Sequence, residues 1–451
     1  MTLIKDFFTK STGRSIAVLR NMFFSIILKG VHIGLNLLLV PLTLGYLAEE
    51  EYGIWLTLSS MLIWFSFFDI GLTNGLRNKL TEAIACNDKK SAKIYVSTTF
   101  VLLMGIVASV LILFMAVYQF INWSAVFNTV TLNSQTLGKV ALIAISFFLM
   151  QFVLEVVLSV YFATQRAAIV SLINTAGTFL SLAIIFILTK VTPSGSLLYV
   201  AAVFSIIPFL VYFAAYLLTF YGKYRYLRPS FKCVDFRYAK GLVGLGINFF
   251  IIQISWLILF QTSNFIITQL SGPEYVTIYG IAYKYFNVVT MGFGIILTPL
   301  WNAYTDAYVK GDFTWIKNVM QKIVFVWGLS VCGTALMTVI SPFVYQLWIG
   351  EKVASTIPFS VSLACAVFVS MLNWNTINSY VLNGVGKIKL QLYLYIIAVI
   401  IFIPLAIFMG KQTGITGVVY AMCIVLLPGT ILHPIQCIKI VNQKATGIWN
   451  K

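Results

Sequence analysis

The chain has 451 residues, 60% of them hydrophobic and only 10% charged, with a formal net charge of +17. Soluble globular domains carry ~25% charged residues, so this composition excludes a soluble globule and predicts an all-α polytopic membrane protein. Nucleic-acid binding, the other common use of a strongly basic balance, is excluded by where the cations sit.

Residues 1–20 hold Lys5, Lys10, Arg14 and Arg20 but no apolar core of a cleavable leader. Leu3, Ile4, Phe7 and Phe8 instead predict a short amphipathic segment on the inner membrane face. About 20 apolar residues cross ~30 Å of hydrocarbon. On that measure about 12 transmembrane helices are predicted, at 22–46, 52–74, 95–121, 138–163, 167–190, 196–220, 241–269, 276–301, 321–348, 356–382, 388–409 and 414–438.

The first span carries Ser25, Lys29, His32, Asn36 and Thr43 within an arc of roughly 60° at helical periodicity. Lipid cannot satisfy such a stripe, so the helix is expected to line a cavity. Snorkelling of Lys29 to the headgroups is the plainer alternative. The second span ends on Asp69, followed by Gly71, Asn74, Gly75 and Arg77; Asp69 can cap its helix or pair with Arg77. The fourth holds Glu155 with Gln151 and Ser159 one turn to either side, and a Lys29–Glu155 pair would lock helices 1 and 4. The seventh aligns Gln253, Gln261, Asn264 and Thr268 to within about 80°. The eighth brings Lys284 with Tyr283 and Asn287, and the tenth Asn375 and Asn378. A buried ammonium without an acid in reach calls for an anion, so a bound anionic group is expected at Lys284.

With the N-terminus inside, most of the 30 lysines and arginines fall in inner segments. Outer loops hold only Lys139, Lys190, Lys352 and Lys411, and the spans Lys29 and Lys284. This asymmetry is the positive-inside rule. It places both termini in the cytoplasm and makes the basic excess a topology signal and an attraction to anionic lipid. The basic connection 223–240 divides the spans six and six, giving an N-terminal bundle over 1–222, a cytoplasmic linker over 223–240 and a C-terminal bundle over 241–451. A shift of 224 residues places Asn78 on Asn302, Glu82 on Asp306, Asp88 on Asp312 and Lys93 on Lys317. A shift of 223 places Glu51 on Glu274 and Tyr52 on Tyr275. Two six-helix repeats in the same orientation, related by a pseudo-twofold axis along the membrane normal, are a transporter architecture with its site between the halves.

Catalytic motifs are absent, His32 and His433 are the only histidines, and the six cysteines have no metal or redox spacing. No enzyme activity, metal or cofactor is expected. Coupling to a proton or sodium gradient falls to Asp69, Arg77 and Glu155 as ion-coupling or gating residues. The substrate-binding candidates are Lys29, His32, Asn36, Gln253, Gln261, Asn264, Lys284 and Asn287. Lysines suit phosphate as point charges, and amides suit sugars, with aromatic faces such as Tyr283, Trp256 and Trp374.

Three N-terminal stretches, Val40–Pro41–Leu42–Thr43–Leu44, Glu51–Tyr52–Gly53–Ile54–Trp55 and Asp69 to Arg77, carry a resemblance, as do Asn383 to Lys387 and the Asn302–Asp306–Lys310 region. The chain resembles bacterial polysaccharide flippases, the Wzx-type O-antigen transporters of the multidrug/oligosaccharidyl-lipid/polysaccharide exporter superfamily. The resemblance implies a two-bundle, V-shaped fold in the bacterial inner membrane. It also implies movement of an undecaprenyl-diphosphate-linked oligosaccharide to the outer leaflet by alternating access. Many members place arginines in a cationic central cavity; here Lys29, Lys284 and His32 stand as candidates. Partners implied are membrane lipids, a polysaccharide polymerase and a chain-length regulator. Superfamily relatives add two rivals, a multidrug or organic-cation antiporter, which calls for a carboxylate-rich cavity, and a peptidoglycan-precursor flippase. A non-transporting assembly scaffold is a further rival.

Overall fold

Long apolar runs closed by aspartate caps and left-handed turn residues set the architecture of the computed structural model. It describes residues 13–69, 72–164, 166–192, 195–238 and 247–450; the predicted N-terminal segment around Leu3 to Phe8 lies outside them. In chain order come α1 (Gly13–Tyr46), α2 (Glu49–Trp64), a 3₁₀ turn (Phe65–Asp69), α3 (Leu72–Ala85), α4 (Lys89–Val117), α5 (Ser134–Leu154), α6 (Val156–Ala163), α7 (Ala167–Val191) and α8 (Leu197–Tyr221). Then follow α9 (Ile247–Ser271), α10 (Pro273–Val309), α11 (Phe313–Ile349), α12 (Phe359–Val385), α13 (Lys389–Thr413) and α14 (Ile415–Val441). Ten helices among the described residues are long and apolar enough to cross a membrane. Of the remaining two expected spans, 52–74 is a helix broken after Trp64, and 241–269 corresponds to α9.

The two halves repeat element by element, as the sequence shift predicts. The stretch from Glu49 to Ala85 is broken at Phe65, whereas its counterpart 224 residues on, α10, runs 37 residues without interruption. The helices that follow start at Lys89 and Phe313, again 224 apart. Asp88 caps the first through the Ser91 amide (3.0 Å) and Asp312 the second through the Trp315 amide (2.9 Å). Each cap follows a residue in the left-handed region, Asn87 at φ 55° and Gly311 at φ 73°, the usual device for ending one helix and turning into the next.

The chain forms two compact units. The first takes the chain up to Tyr46, then Phe65–Asn122 and Ser134–Ile247; the second takes Leu47–Trp64, Trp123–Asn133 and everything from Asn248. Within the first, α1 and α7 run parallel at a constant register. Ser25 meets Ser171 (2.9 Å), His32 meets Thr178 (3.2 Å) and Tyr46 meets Thr192 (2.8 Å). The segment predicted as a linker is built onto this unit as far as Tyr238. Ser97 and Thr98 of α4 accept hydrogen bonds from the Ser230 and Asp235 amides (both 3.1 Å), and Tyr238 packs edge-on against Tyr95.

Within the second unit, α2 lies along α10. Gly53 makes this approach feasible, since a Cβ there would overlap the Pro273 carbonyl oxygen. The core beneath is apolar, with Phe286, Phe368 and Phe402 fully buried.

Candidate functional site

The polar stripe of α1 is turned onto α7 because neighbouring protein, unlike lipid, offers hydrogen-bond partners. Besides the His32–Thr178 contact, Asn36 donates to the His32 carbonyl (2.8 Å) and Thr43 to that of Leu39 (2.6 Å). Between α1, α5, α7 and α8 lies an opening of about 260 Å³, whose polar lining includes His32, Asn36, Gln151, Asn174, Thr178 and Tyr212. The Tyr212 hydroxyl donates to Asn174 Oδ1 (2.8 Å). Among the described residues no charged side chain contributes to this lining, so the opening presents neutral donors and acceptors, a chemistry that fits hydroxyl groups.

Beside the opening, Glu155 sits at the break between α5 and α6 and accepts a long hydrogen bond (3.4 Å) from Gln151 Nε2. Asp69 caps α3, its two oxygens taking the Thr73 amide (3.0 Å) and hydroxyl (2.7 Å). Ser159 donates to the Thr73 carbonyl (3.1 Å). Arg77 lies over the Phe162 ring at 4.7 Å. The only ion pairs among the described residues are Lys79–Glu82 and Arg237–Asp235. Neither an Asp69–Arg77 pair nor a Lys29–Glu155 lock therefore forms. Thr73 has taken both oxygens of Asp69, and Glu155 turns to the amide one turn back on its own helix. Lys29 is exposed and has no hydrogen-bond or ion-pair partner among the described residues.

In the second unit a ladder of polar contacts ties α2 to α9 and α10. Lys284 donates to the Tyr52 hydroxyl (2.9 Å). Asn264 donates to Ser60 (2.5 Å), Thr57 and Thr268 share a hydrogen bond (2.7 Å), and Thr277 donates to the Glu49 carbonyl (2.6 Å). Gln261 and Asn287 are half-buried; the Gln253 and Trp256 side chains lie outside the described residues. Tyr283 stacks on Tyr279 in the core. Trp374 donates to the Thr430 carbonyl (2.9 Å) and packs on Trp327. The structure thus gathers His32 and Asn36 at the opening of the first unit and Asn264 and Lys284 in the seam of the second. Sequence reasoning misses Asn174, Thr178 and Tyr212 in the first, and Tyr52 as the partner of Lys284 in the second. Among the described residues no cluster of three or more His, Cys, Asp or Glu could hold a metal ion.

A model of the family described as polysaccharide biosynthesis protein matches residues 18–301. A Salmonella typhi protein assigned to O-antigen transport is 24% identical over 398 residues, covering 86% of this chain and 88% of that protein. A Yersinia pseudotuberculosis protein assigned to O-antigen export is 20% identical over 359 residues, covering 78% of this chain and 79% of that protein. Among solved structures, the inward-facing conformation of a multidrug resistance MATE family transporter of the MOP superfamily aligns with a TM-score of 0.78 at 12% identity, covering 94% of this chain and 100% of that one. At that identity the likeness concerns the fold alone.

Proposed function

The chain belongs to the polysaccharide biosynthesis protein family, and from that membership we propose that it is a membrane transporter, not an enzyme. Its cargo is an undecaprenyl-diphosphate-linked oligosaccharide, an O-antigen or other surface-polysaccharide repeat unit, carried from the cytoplasmic to the periplasmic leaflet of the bacterial inner membrane by alternating access. The observation that carries this reading is the neutral polar lining of the opening in the first unit. Sugar hydroxyls are recognised by amides and hydroxyls, whereas an organic cation calls for carboxylates in the lining. In this reading Lys29 and Lys284 attract the diphosphate, and Asp69, Arg77 and Glu155 serve ion coupling or gating. The oligosaccharide passes across His32, Asn36 and Asn174.

The test is transport of a fluorescent lipid-diphosphate oligosaccharide in proteoliposomes, read as the fraction reaching the far leaflet. Wild-type protein should translocate it, and Asn174→Ala and Lys284→Ala should each slow it at least tenfold at equal reconstitution. Undiminished rates in both Lys29→Ala and Lys284→Ala would remove the cationic part of the site. No translocation by wild-type protein, together with raised drug sensitivity of a deletion strain, would replace the reading with an antiporter.

A further inference from the structure

Three helices of the second unit meet at Gly429. His433 of α14 is 2% exposed, and neither of its ring nitrogens has a hydrogen-bond partner among the described residues. Buried polar groups are nearly always bonded, and an ionisable side chain kept inside a membrane span marks a function. The imidazole lines a cavity of about 10 Å³ together with Asn375 of α12 and Tyr395 of α13. Measured in this way, ~10–15 Å³ admits one water molecule. The space exists because residue 429 is glycine. A Cβ there would stand 2.5 Å from Asn375 Oδ1 and 3.1 Å from His433 Cε1. Asn375 Nδ2 is already committed to the Met371 carbonyl (3.1 Å) and Thr430 Oγ1 (2.8 Å), which leaves its Oδ1 at the cavity.

We propose that His433 and Asn375 hold a single water molecule and form a proton-exchange site in the second unit. The bound water passes a proton to a free ring nitrogen and is replenished by one from the aqueous phase, so that N–H and O–H bonds alone are made and broken. The facing groups from each packed element are few. Tyr395 is the titratable one from α13, and α12 contributes the neutral Asn375. On α14 itself Cys437 turns its thiol to the Asn378 carbonyl (3.6 Å). Among the described residues no charged side chain, from α11 included, lines the cavity. The site deepens the transport reading by naming a proton as the coupling ion of this unit, and it rests on that reading only for the use made of the proton.

The chain has two histidines, so protein labelled with ¹⁵N-histidine in bilayers gives two ring signals, and the one lost in His433→Gln belongs to His433. The expected result is a His433 ring N–H that exchanges with D₂O, at least tenfold more slowly in Gly429→Ala. A ring that does not exchange overturns the site. An exchanging ring with an unaltered pH profile of transport in His433→Gln overturns its coupling role. An exchanging ring in a wild-type protein that moves no lipid-linked substrate leaves the proton site standing and removes the transport reading.

Discussion

Lys284 is held by the Tyr52 hydroxyl at 2.9 Å. A hydrogen bond to a charged group contributes ~1.5–3 kcal/mol, so Tyr52→Phe should loosen the lysine. Initial transport rates are expected to fall several-fold in Tyr52→Phe and at least tenfold in Lys284→Ala. The double variant should be no worse than Lys284→Ala alone; additive losses would show the two residues acting separately. At Asp69, asparagine keeps an oxygen for the Thr73 amide while alanine keeps none, and a lost cap costs ~1 kcal/mol. The melting temperature should therefore drop in Asp69→Ala and hold in Asp69→Asn, with transport lost in both. A fully active Asp69→Asn would leave Asp69 with capping alone. The stripe of α1 is legible in the sequence because Lys29 draws attention to its neighbours. Ser171, Asn174, Thr178 and Ser181 on α7 recur at the same helical spacing, but without a charge a search led by ionisable residues passes over them. Tyr212 shares a face of α8 with Ser205, Tyr216 and Thr219, again without a charge, and tertiary packing brings its hydroxyl to Asn174.

At the scale of an element, the clearest contrast is between α10, unbroken over 37 residues, and its counterpart, which gives way to a 3₁₀ turn at Phe65. The sequence predicts a span ending near residue 301, but α10 continues to Val309 because nothing in Trp301–Val309 stops a helix until Gly311 and the Asp312 cap. The break in the first half is signalled by Asp69 and Gly71, yet its start at Phe65 is not, since Phe65–Phe68 reads as ordinary apolar helix. Two glycines allow a controlled test of the α2–α10 contact. Gly53 faces the Pro273 backbone with no room for a Cβ, whereas Gly105 in α4 has nothing within 4 Å. Overpacking costs ~1–3 kcal/mol, and glycine to alanine in an open helix interior gains up to ~1 kcal/mol. Gly53→Ala should lower the melting temperature of the purified protein by several degrees and Gly105→Ala should leave it level or raise it. Equal effects would mean that α2 does not pack against α10 in the membrane.

For the molecule as a whole, the helices and the repeat are readable from the sequence because hydrocarbon thickness and charge asymmetry are strong constraints. The assignment of α2 to the second compact unit is not, because it depends on contacts between Thr57 and Thr268 or Ser60 and Asn264, far apart in sequence. Orientation can be checked with the protein's own thiols. Cys86 is exposed in the turn between α3 and α4, while Cys365, Cys423 and Cys437 are buried. An impermeant maleimide should label Cys86 in inverted membrane vesicles and not in intact spheroplasts; the reverse pattern would invert the topology.

The placement of Leu47–Trp64 in the second unit also bears on the order of synthesis. At ~5–20 residues per second, the ribosome needs roughly 12–50 s to add the about 245 residues between the end of α2 and the end of α10. During that wait α2 has its hydroxyls in hand: Thr57 and Ser60 each donate to a carbonyl one turn back, Gly53 and Leu56, at 3.0 Å. These two hydroxyls are thus satisfied within the helix before their partners exist, and the late-made partners then recruit a piece of themselves that was translated first.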